Sequence, residues 1–408
     1  MKIIADLHVH SRYARATSNQ LNLSNLEKYS KIKGINLIGT GDFQHPEYIK
    51  EIESELIEDD KGILWSKTGF PFILQTEISL MYSQGGKRRA VHLVVLCPGM
   101  KTAKKIKGFL ESKGRIDYDG RPIFGMSAIE FVKELKQINE MIEIIPAHCM
   151  TPWFGIFGSK SGFDSLKECF GDEVHHIYAI ESGISADPEM LWRINENVNI
   201  ISSSDLHSFW PWRLGREATI FEIENLSYEN IINAIRTGQG LKGTIETPPS
   251  YGKYHWDGHR GCEFSCGPKK TKELGNKCPK CGNTLTLGVD YRVEEIAKKE
   301  KGFKPENGKV YYEILPLHEL IALYFNAGIS TKKVWTLYND LIEKFGNEIN
   351  ILLNVDKKSL LGLGVEERLV ELIILNRENK LKVVPGYDGE YGKVILPEKK
   401  MKTQETLF

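Results

Sequence analysis

Net charge is missing from this chain: 54 lysines and arginines meet 54 aspartates and glutamates. A globally basic, nucleic-acid-coating protein is therefore excluded, and any grip on DNA or RNA must come from local patches. No run of roughly 18 apolar residues occurs, so no membrane span is expected. The opening MKIIADLHVH has no long apolar core and does not read as a secretory signal. Long repeats and low-complexity tracts are also lacking. Cysteine is scarce, seven in 408 residues, which excludes a disulfide framework. A reducing, cytoplasmic setting in a prokaryote is the expectation.

What is present points to folded domains. The chain is 41% hydrophobic and 26% charged, with seven tryptophans and sixteen tyrosines, unlike a disordered chain. Its length predicts two or three domains, each able to bury a core. Across 1–242, β-rich runs at 3–10, 36–42, 72–77, 91–96, 142–148, 176–181 and 198–205 alternate with amphipathic stretches. Such β-α units predict an α/β fold with a parallel sheet, open or closed into a barrel. Gly-Gln-Gly and Pro248-Pro249 mark a boundary. Residues 251–290 hold a cysteine cluster, 291–400 read as helices ending in a short hairpin, and 401–408 form a tail.

Polar residues capable of binding a metal recur where the apolar runs end. The first run carries Asp6, His8 and His10 on one face, by period-two spacing. Asp42, Glu77, His148, Glu181 and Asp205 close later runs, with His45 and His207 just beyond two of them. In a (β/α) barrel those ends converge on one site. His92 begins its run and can join only if the chain doubles back after Glu77, for which Gly85-Gly86 supplies a turn. Any one of these residues alone reads equally well as an isolated hydrogen-bonded polar group. Eight or more at successive strand ends read better as a site.

Asp6-Leu-His-Val-His10, Asp42, Glu77, His92, His148 and Asp205-Leu-His207 resemble the motifs of the PHP (polymerase and histidinol phosphatase) family. The resemblance implies a distorted (β/α)7 barrel holding up to three metal ions. His8, His10, Glu77 and Asp205 would hold the first ion. Glu77, bridging, would hold the second with His92 and His148. His207 would hold the third with Asp42 or His45. One departure bears on that third site: the family usually reads Thr-Asp-His where this chain reads Gly41-Asp42-Phe43. Imidazole and carboxylate donors suit zinc, with magnesium or manganese as alternatives. Paired ions about 3.5–4 Å apart acidify water and stabilise both oxygens of a phosphodiester displacement. Asp42, His45, Asp205 and His207 are the candidate catalytic residues. Arg12, Arg15 and Arg88 are candidate phosphate contacts, since guanidinium makes paired hydrogen bonds to phosphate. Glu181 is placed with them as a candidate substrate contact.

Cys262-x3-Cys266 and Cys278-x2-Cys281 give two thiolate pairs, the pattern of a closed, structural zinc site. Seven basic residues against four acidic ones make 251–290 locally positive. Residues 360–373 read as a helix-hairpin-helix element or as an ordinary helix-helix turn. Tyr387 and Tyr391, on a Gly-rich loop, either stack on a base or pack. Phe209-Trp210-Pro211-Trp212 either walls a nucleotide pocket or packs. The ending Gln404-Glu-Thr-Leu407-Phe408 is similar to the start of a sliding-clamp-binding box.

The order of barrel, four-cysteine insert and helical segment is a narrower pattern than the PHP motifs alone. Gly39-Thr-Gly-Asp-Phe43-Gln-His45-Pro, Glu181-Ser-Gly-Ile-Ser-Ala-Asp187-Pro and Pro385-Gly-Tyr-Asp-Gly-Glu-Tyr-Gly392 narrow it further. Together they resemble the endonuclease Q family of repair enzymes. That resemblance implies incision on the 5′ side of deaminated bases (uracil, hypoxanthine, xanthine) or abasic sites, with damaged DNA as the partner. A phosphatase for a small phosphate ester would need neither the insert nor the helical segment. A non-catalytic DNA or clamp adaptor would not need the full ligand set.

Overall fold

A computed structural model of the chain describes residues 1–396. The clamp-box residues 404–408 lie outside the described residues. Among those described, no helix is long and apolar enough to cross a membrane.

Seven strands build the part of the fold that carries the site: β1 (Lys2–Asp6), β2 (Leu37–Gly39), β3 (Pro71–Gln84), β4 (Lys87–Cys97), β5 (Glu143–Pro146), β6 (Ala179–Glu181) and β7 (Asn199–Ile201). β1, β2 and β3 run parallel in one sheet. The sheet is mixed, however, rather than uniformly parallel. β3 and β4 form a long antiparallel hairpin, and β4 pairs antiparallel with β5. Gly85 and Gly86 both have positive φ (60° and 74°), the two-residue turn that matches the twist of a hairpin. Beyond the strand ends the contacts continue. Cys149 N–H donates to the Glu181 carbonyl, β6 and β7 pair in parallel, and Val9 bridges back to Leu206. Hydrogen bonds thus run from β1 through β7 and return to β1.

Alternation along each strand divides the apolar side chains between two faces. Ala5, Leu7, Leu37, Ile73, Val94, Ile145 and Ala179 share one buried cluster. Ile4, Ile38, Phe72, Leu74 and Val95 join the main core, against helices such as Leu23–Lys33 and Ala128–Ile138. Two more strands, β8 (Ala218–Glu222) and β9 (Leu241–Glu246), extend the sheet antiparallel from β1. β9 crosses the expected boundary at residue 242, and β10 (Val310–Glu313) adds to its far side.

The cysteine segment forms a small hairpin, Asp257–His259 against Phe264–Cys266. The following helix, Val289–Ile296, anchors it: Arg292 donates to the Phe157 and Phe163 carbonyls and pairs with Asp164 at 2.5 Å. Helices Leu317–Phe325, Lys332–Phe345 and Glu367–Arg377 match the sequence expectation, with two shorter helices between them. They dock through a buried Lys33–Glu348 pair at 2.6 Å. The Phe209–Trp212 aromatics pack here too: Trp210 stacks on Trp212, and both meet Trp335. The packing expectation for this run is thus met, with Trp210 and Trp212 half-buried. Lys382–Val384 and Lys393–Ile395 form the terminal hairpin.

Candidate metal centre

Five backbone segments deliver side chains to one place. His8 and His10 follow β1, Glu77 sits midway along β3, His92 lies on β4, His148 follows β5, and Asp205 follows β7. Two ligand sets result, His8–His10–Glu77–Asp205 and Glu77–His92–His148, within each of which the donor atoms lie inside 4.8 Å of one another. Glu77 belongs to both. Its Oε1 lies 2.8 Å from His92 Nδ1 and 3.2 Å from His148 Nε2, and its Oε2 lies 3.2 Å from His10 Nε2.

The backbone is bent to make this meeting. Asp42, His148 and Asp205 all have positive φ (33°, 30° and 47°), a region non-glycine residues rarely adopt, and such strain clusters at functional sites. Gly183 is required beside them: a Cβ there would lie 2.6 Å from the Cβ of His148.

Each histidine of the first set is oriented by a carboxylate behind it. Glu181 accepts from His8 Nδ1 at 2.9 Å and from the His148 N–H at 2.8 Å. Asp42 accepts from His10 Nδ1 at 3.0 Å and from the Ser11 N–H and hydroxyl at 2.7 and 2.6 Å. Thr151 Oγ1 lies 2.8 Å from His148 Nδ1 in the same way. With Nδ1 held, His8 and His10 turn Nε2 inward. Carboxylate oxygens stand 3.2–3.6 Å from those two nitrogens, but not in line for hydrogen bonding, so both nitrogens and Asp205 Oδ1 are buried atoms with no hydrogen-bond partner among the described residues. Buried polar atoms rarely go unpaired, so three converging on one spot fit a cation in that place.

The electrostatics agree. Burial alone would depress the His8 and His10 imidazoles, yet Glu181, Glu77 and Asp205 around the first, and Asp42 and Asp205 around the second, hold both well above the ordinary range. Burial pushes His92 down to about 4, against the pull of Glu77. Burial also opposes charge on Glu77, but His92, Arg121 and His8 keep it well below the usual carboxylate range. Cation binding must expel the protons of His8 and His10, so uptake strengthens as pH rises.

Among the described residues Asp42, His45 and His207 do not come together as the expected third ligand set. Asp42 spends both oxygens on His10 and Ser11. His45 caps the helix Pro46–Glu55, accepting from Glu47 N–H, and stacks on Tyr13 at 4.3 Å. His207 stands apart from both, its ring 4.7 Å from His10 and its Nδ1 donating to the Asp205 carbonyl. Asp6 lies outside the ligand sets as well, holding Ser204 N–H and hydroxyl beside Asp205. Glu181 is buried behind His8 instead of facing a substrate. Removing the Asp42 charge should loosen the first set without dismantling it. Asp42→Asn is expected to weaken cation affinity by about 10–100-fold, the usual effect of losing a partner that orients a ligand, as read by manganese titration of metal-stripped protein.

Arg121 has no counterpart in the sequence reading. It donates to Glu77 Oε2 at 3.0 Å and its side chain is 26% exposed, on the open side of the site. Asp119 accepts from its N–H, while Gly120 donates to the Tyr13 carbonyl and accepts from Gln44, so the loop is pinned over Asp42. The other arginines point elsewhere. Arg12 pairs with Glu51, Arg15 with Asp119, and Arg88 is exposed at the β3–β4 tip.

The candidate metal ligands of the cysteine segment differ from the four cysteines expected. The set that comes together is His259, Cys262, Cys278 and Cys281. Cys266 is buried next to this set but outside it, its sulfur 3.2 Å from the Thr271 hydroxyl. The geometry has a simple cause: Cys266 ends the second hairpin strand, while His259 ends the first and sits three residues before Cys262. His259-x2-Cys262 therefore matches Cys278-x2-Cys281, a closed three-thiolate, one-imidazole set. Burial opposes the Cys278 thiolate, but the Lys280 and Cys281 N–H groups and His259 pull its pKa down to about 6. The terminal hairpin closes over this module. Tyr387 packs on Gly258, and Lys253 and Arg213 lie over the Tyr391 ring, while both tyrosines stay half-buried. Trp153, 44% exposed and edge-on to Tyr254, is the open aromatic near His148.

A family model described as the MJ0043 C-terminal domain matches residues 316–380, the helical segment. Protein MJ0043 of Methanocaldococcus jannaschii is 34% identical over 265 residues, 62% of this chain and 32% of that one. The chain therefore spans about a third of that relative's length. The crystal structure of the lesion-specific endonuclease PfuEndoQ from Pyrococcus furiosus is 32% identical, with a TM-score of 0.88, covering 99% of this chain and 98% of that one. A structure of endonuclease Q with a 27-mer duplex bearing an abasic lesion at its active site has the same identity and TM-score, over 100% of both chains.

Proposed function

Because the chain belongs to the endonuclease Q family, we propose that it is a metal-dependent endonuclease that cuts DNA beside a damaged nucleotide. The observation that carries this reading is the pair of ligand sets sharing Glu77, with three donor atoms converging and unpaired. Ions bound there would acidify a water and stabilise charge on the phosphate under attack. The donors fit zinc, and manganese or magnesium as well.

The remaining tasks fall to the chain's own side chains. Glu181 and Asp42 fix the imidazoles of His8 and His10 before substrate arrives. Arg121, beside Glu77 and open to solvent, offers its remaining N–H groups to the phosphate oxygens. His207 is one-third exposed with its Nδ1 proton held by a carbonyl, which leaves Nε2 bare to take a proton from the attacking water; it would give that proton to the leaving oxygen only after acquiring it. The substrate we propose is a duplex with an abasic site or a deaminated base (uracil, hypoxanthine or xanthine), cut on the 5′ side. Such a nucleotide unstacks at lower cost than a normal one.

The test is an end-labelled duplex with one abasic site or one deaminated base, beside an undamaged control. One lesion-dependent product ending 5′ to the lesion is expected. Hydrolysis of small phosphate esters alone would instead make the chain a phosphatase.

A further inference from the structure

A groove lies at the tip of the β3–β4 hairpin that carries Glu77 and His92, between that tip, the loop 158–162 and the helix Val289–Ile296. Most of its charged side chains are already paired. Arg89 meets Glu168 at 2.5 Å, Arg292 meets Asp164 at 2.5 Å, and Lys298 meets Glu196 at 2.9 Å. Lys87, Arg88 and Lys160 are exposed and make no ion pair among the described residues. The groove's acids, Asp164, Glu168 and Glu295, are themselves paired with Arg89 or Arg292, so three exposed like charges are gathered there without an ion pair among the described residues.

The groove is held rigidly to the metal ligands. β3 carries Glu77 and β4 carries His92, and the same hairpin continues past them to its tip. The loop after His148 is sewn to β4: Ala90 N–H donates to the Ser161 carbonyl, the Ser161 hydroxyl to the Ala90 carbonyl, and Arg89 to the Gly162 carbonyl. Arg88 lies four residues from His92 along a strand. At about 3.4 Å per residue the separation is roughly 14 Å. That is about four base-pair steps of a duplex, whose phosphates advance roughly 3.4 Å per step along each strand.

We infer that this groove is a phosphate track for the duplex arm flanking the lesion, with Lys87, Arg88 and Lys160 contacting the backbone about four steps from the cut. The inference rests on the reading that the substrate is duplex DNA. The chain's zero net charge makes the track useful. Affinity then comes from a local stripe aligned with the site, rather than from a coat that would hold undamaged DNA anywhere.

The test is the salt dependence of binding to a labelled abasic duplex, in an Asp205→Asn background that prevents cutting. The plot of log K against log salt should be shallower for the Lys87→Gln/Arg88→Gln/Lys160→Gln variant than for its parent, by about 2–3 units of slope. The charge-preserving Lys87→Arg/Arg88→Lys/Lys160→Arg variant should keep the parent slope. A duplex shortened on the track side to two base pairs beyond the lesion should abolish the difference between parent and Gln variant. Equal slopes for parent and Gln variant on the long duplex would overturn the inference. A parent that shows no salt-dependent binding to any duplex would overturn the functional reading itself.

Discussion

Glu77→Gln should reduce lesion-directed cutting by at least about a thousandfold. Glu77 is the one residue common to both ligand sets, and its two oxygens face His10, His92 and His148 at 2.8–3.2 Å. The amide replacement keeps the shape and one acceptor oxygen but removes the bridging charge. It also removes the counter-charge that favours His92, His148 and Arg121 in their places. Both ions should bind more weakly as a result, so the loss should appear as fewer manganese equivalents taken up as well as slower cutting. Circular dichroism should match that of the parent, since Glu77 makes its contacts within the site. Full cutting by a folded Glu77→Gln protein would remove the bridging role.

The second large effect separates two ligand sets for the small module. His259→Ala should strip zinc from it, whereas Cys266→Ser should leave the zinc in place. His259 stands with Cys262, Cys278 and Cys281, while Cys266 is spent on Thr271. Structural zinc contributes about 10–16 kcal/mol to small domains, because the unfolded segment has no preformed site. The module's own apolar cluster is tiny, centred on Cys266, Cys278 and Leu285, and cannot replace that. Losing a direct ligand should therefore weaken zinc retention more than a hundredfold, beyond the roughly 10–100-fold typical of an orienting partner. Replacing the Cys266 sulfur loses one hydrogen bond, about 1 kcal/mol. Competition with a coloured zinc chelator reads both. If Cys266→Ser released zinc while His259→Ala kept it, the four-cysteine set would be the correct one.

Much of the site was legible because polar residues at the ends of apolar runs stand out. His8, His10, Glu77, His148 and Asp205 were found that way, and the structure brings them together. His92 needed a further clue, the two glycines that turn β3 into β4. The same hairpin makes the sheet mixed, which run lengths alone did not reveal. Other features depend on contacts between distant segments. Asp42 looks like a ligand in the sequence, but Ser11 and His10, 31 and 32 residues away, occupy its oxygens. Glu181 and His8 meet across 173 residues. Arg121 sits in a loop without periodicity, and only the anchoring of Asp119 and Gly120 aims it at Glu77. His259 was legible in principle, since His-x2-Cys repeats the spacing of Cys278-x2-Cys281. The aromatic run 209–212 follows a ligand in sequence, yet the helix Lys332–Phe345 covers it.

The central claim is that one cluster of histidines and carboxylates, charged with metal, cuts DNA at a lesion. Its most direct measurement is incision of an abasic duplex by metal-stripped protein to which manganese is returned stepwise. The stripped protein should be inert, and a single lesion-dependent product should grow with the added metal until the two Glu77-linked sets are filled. Incision at full rate by protein shown to carry no metal at those sets would contradict the account.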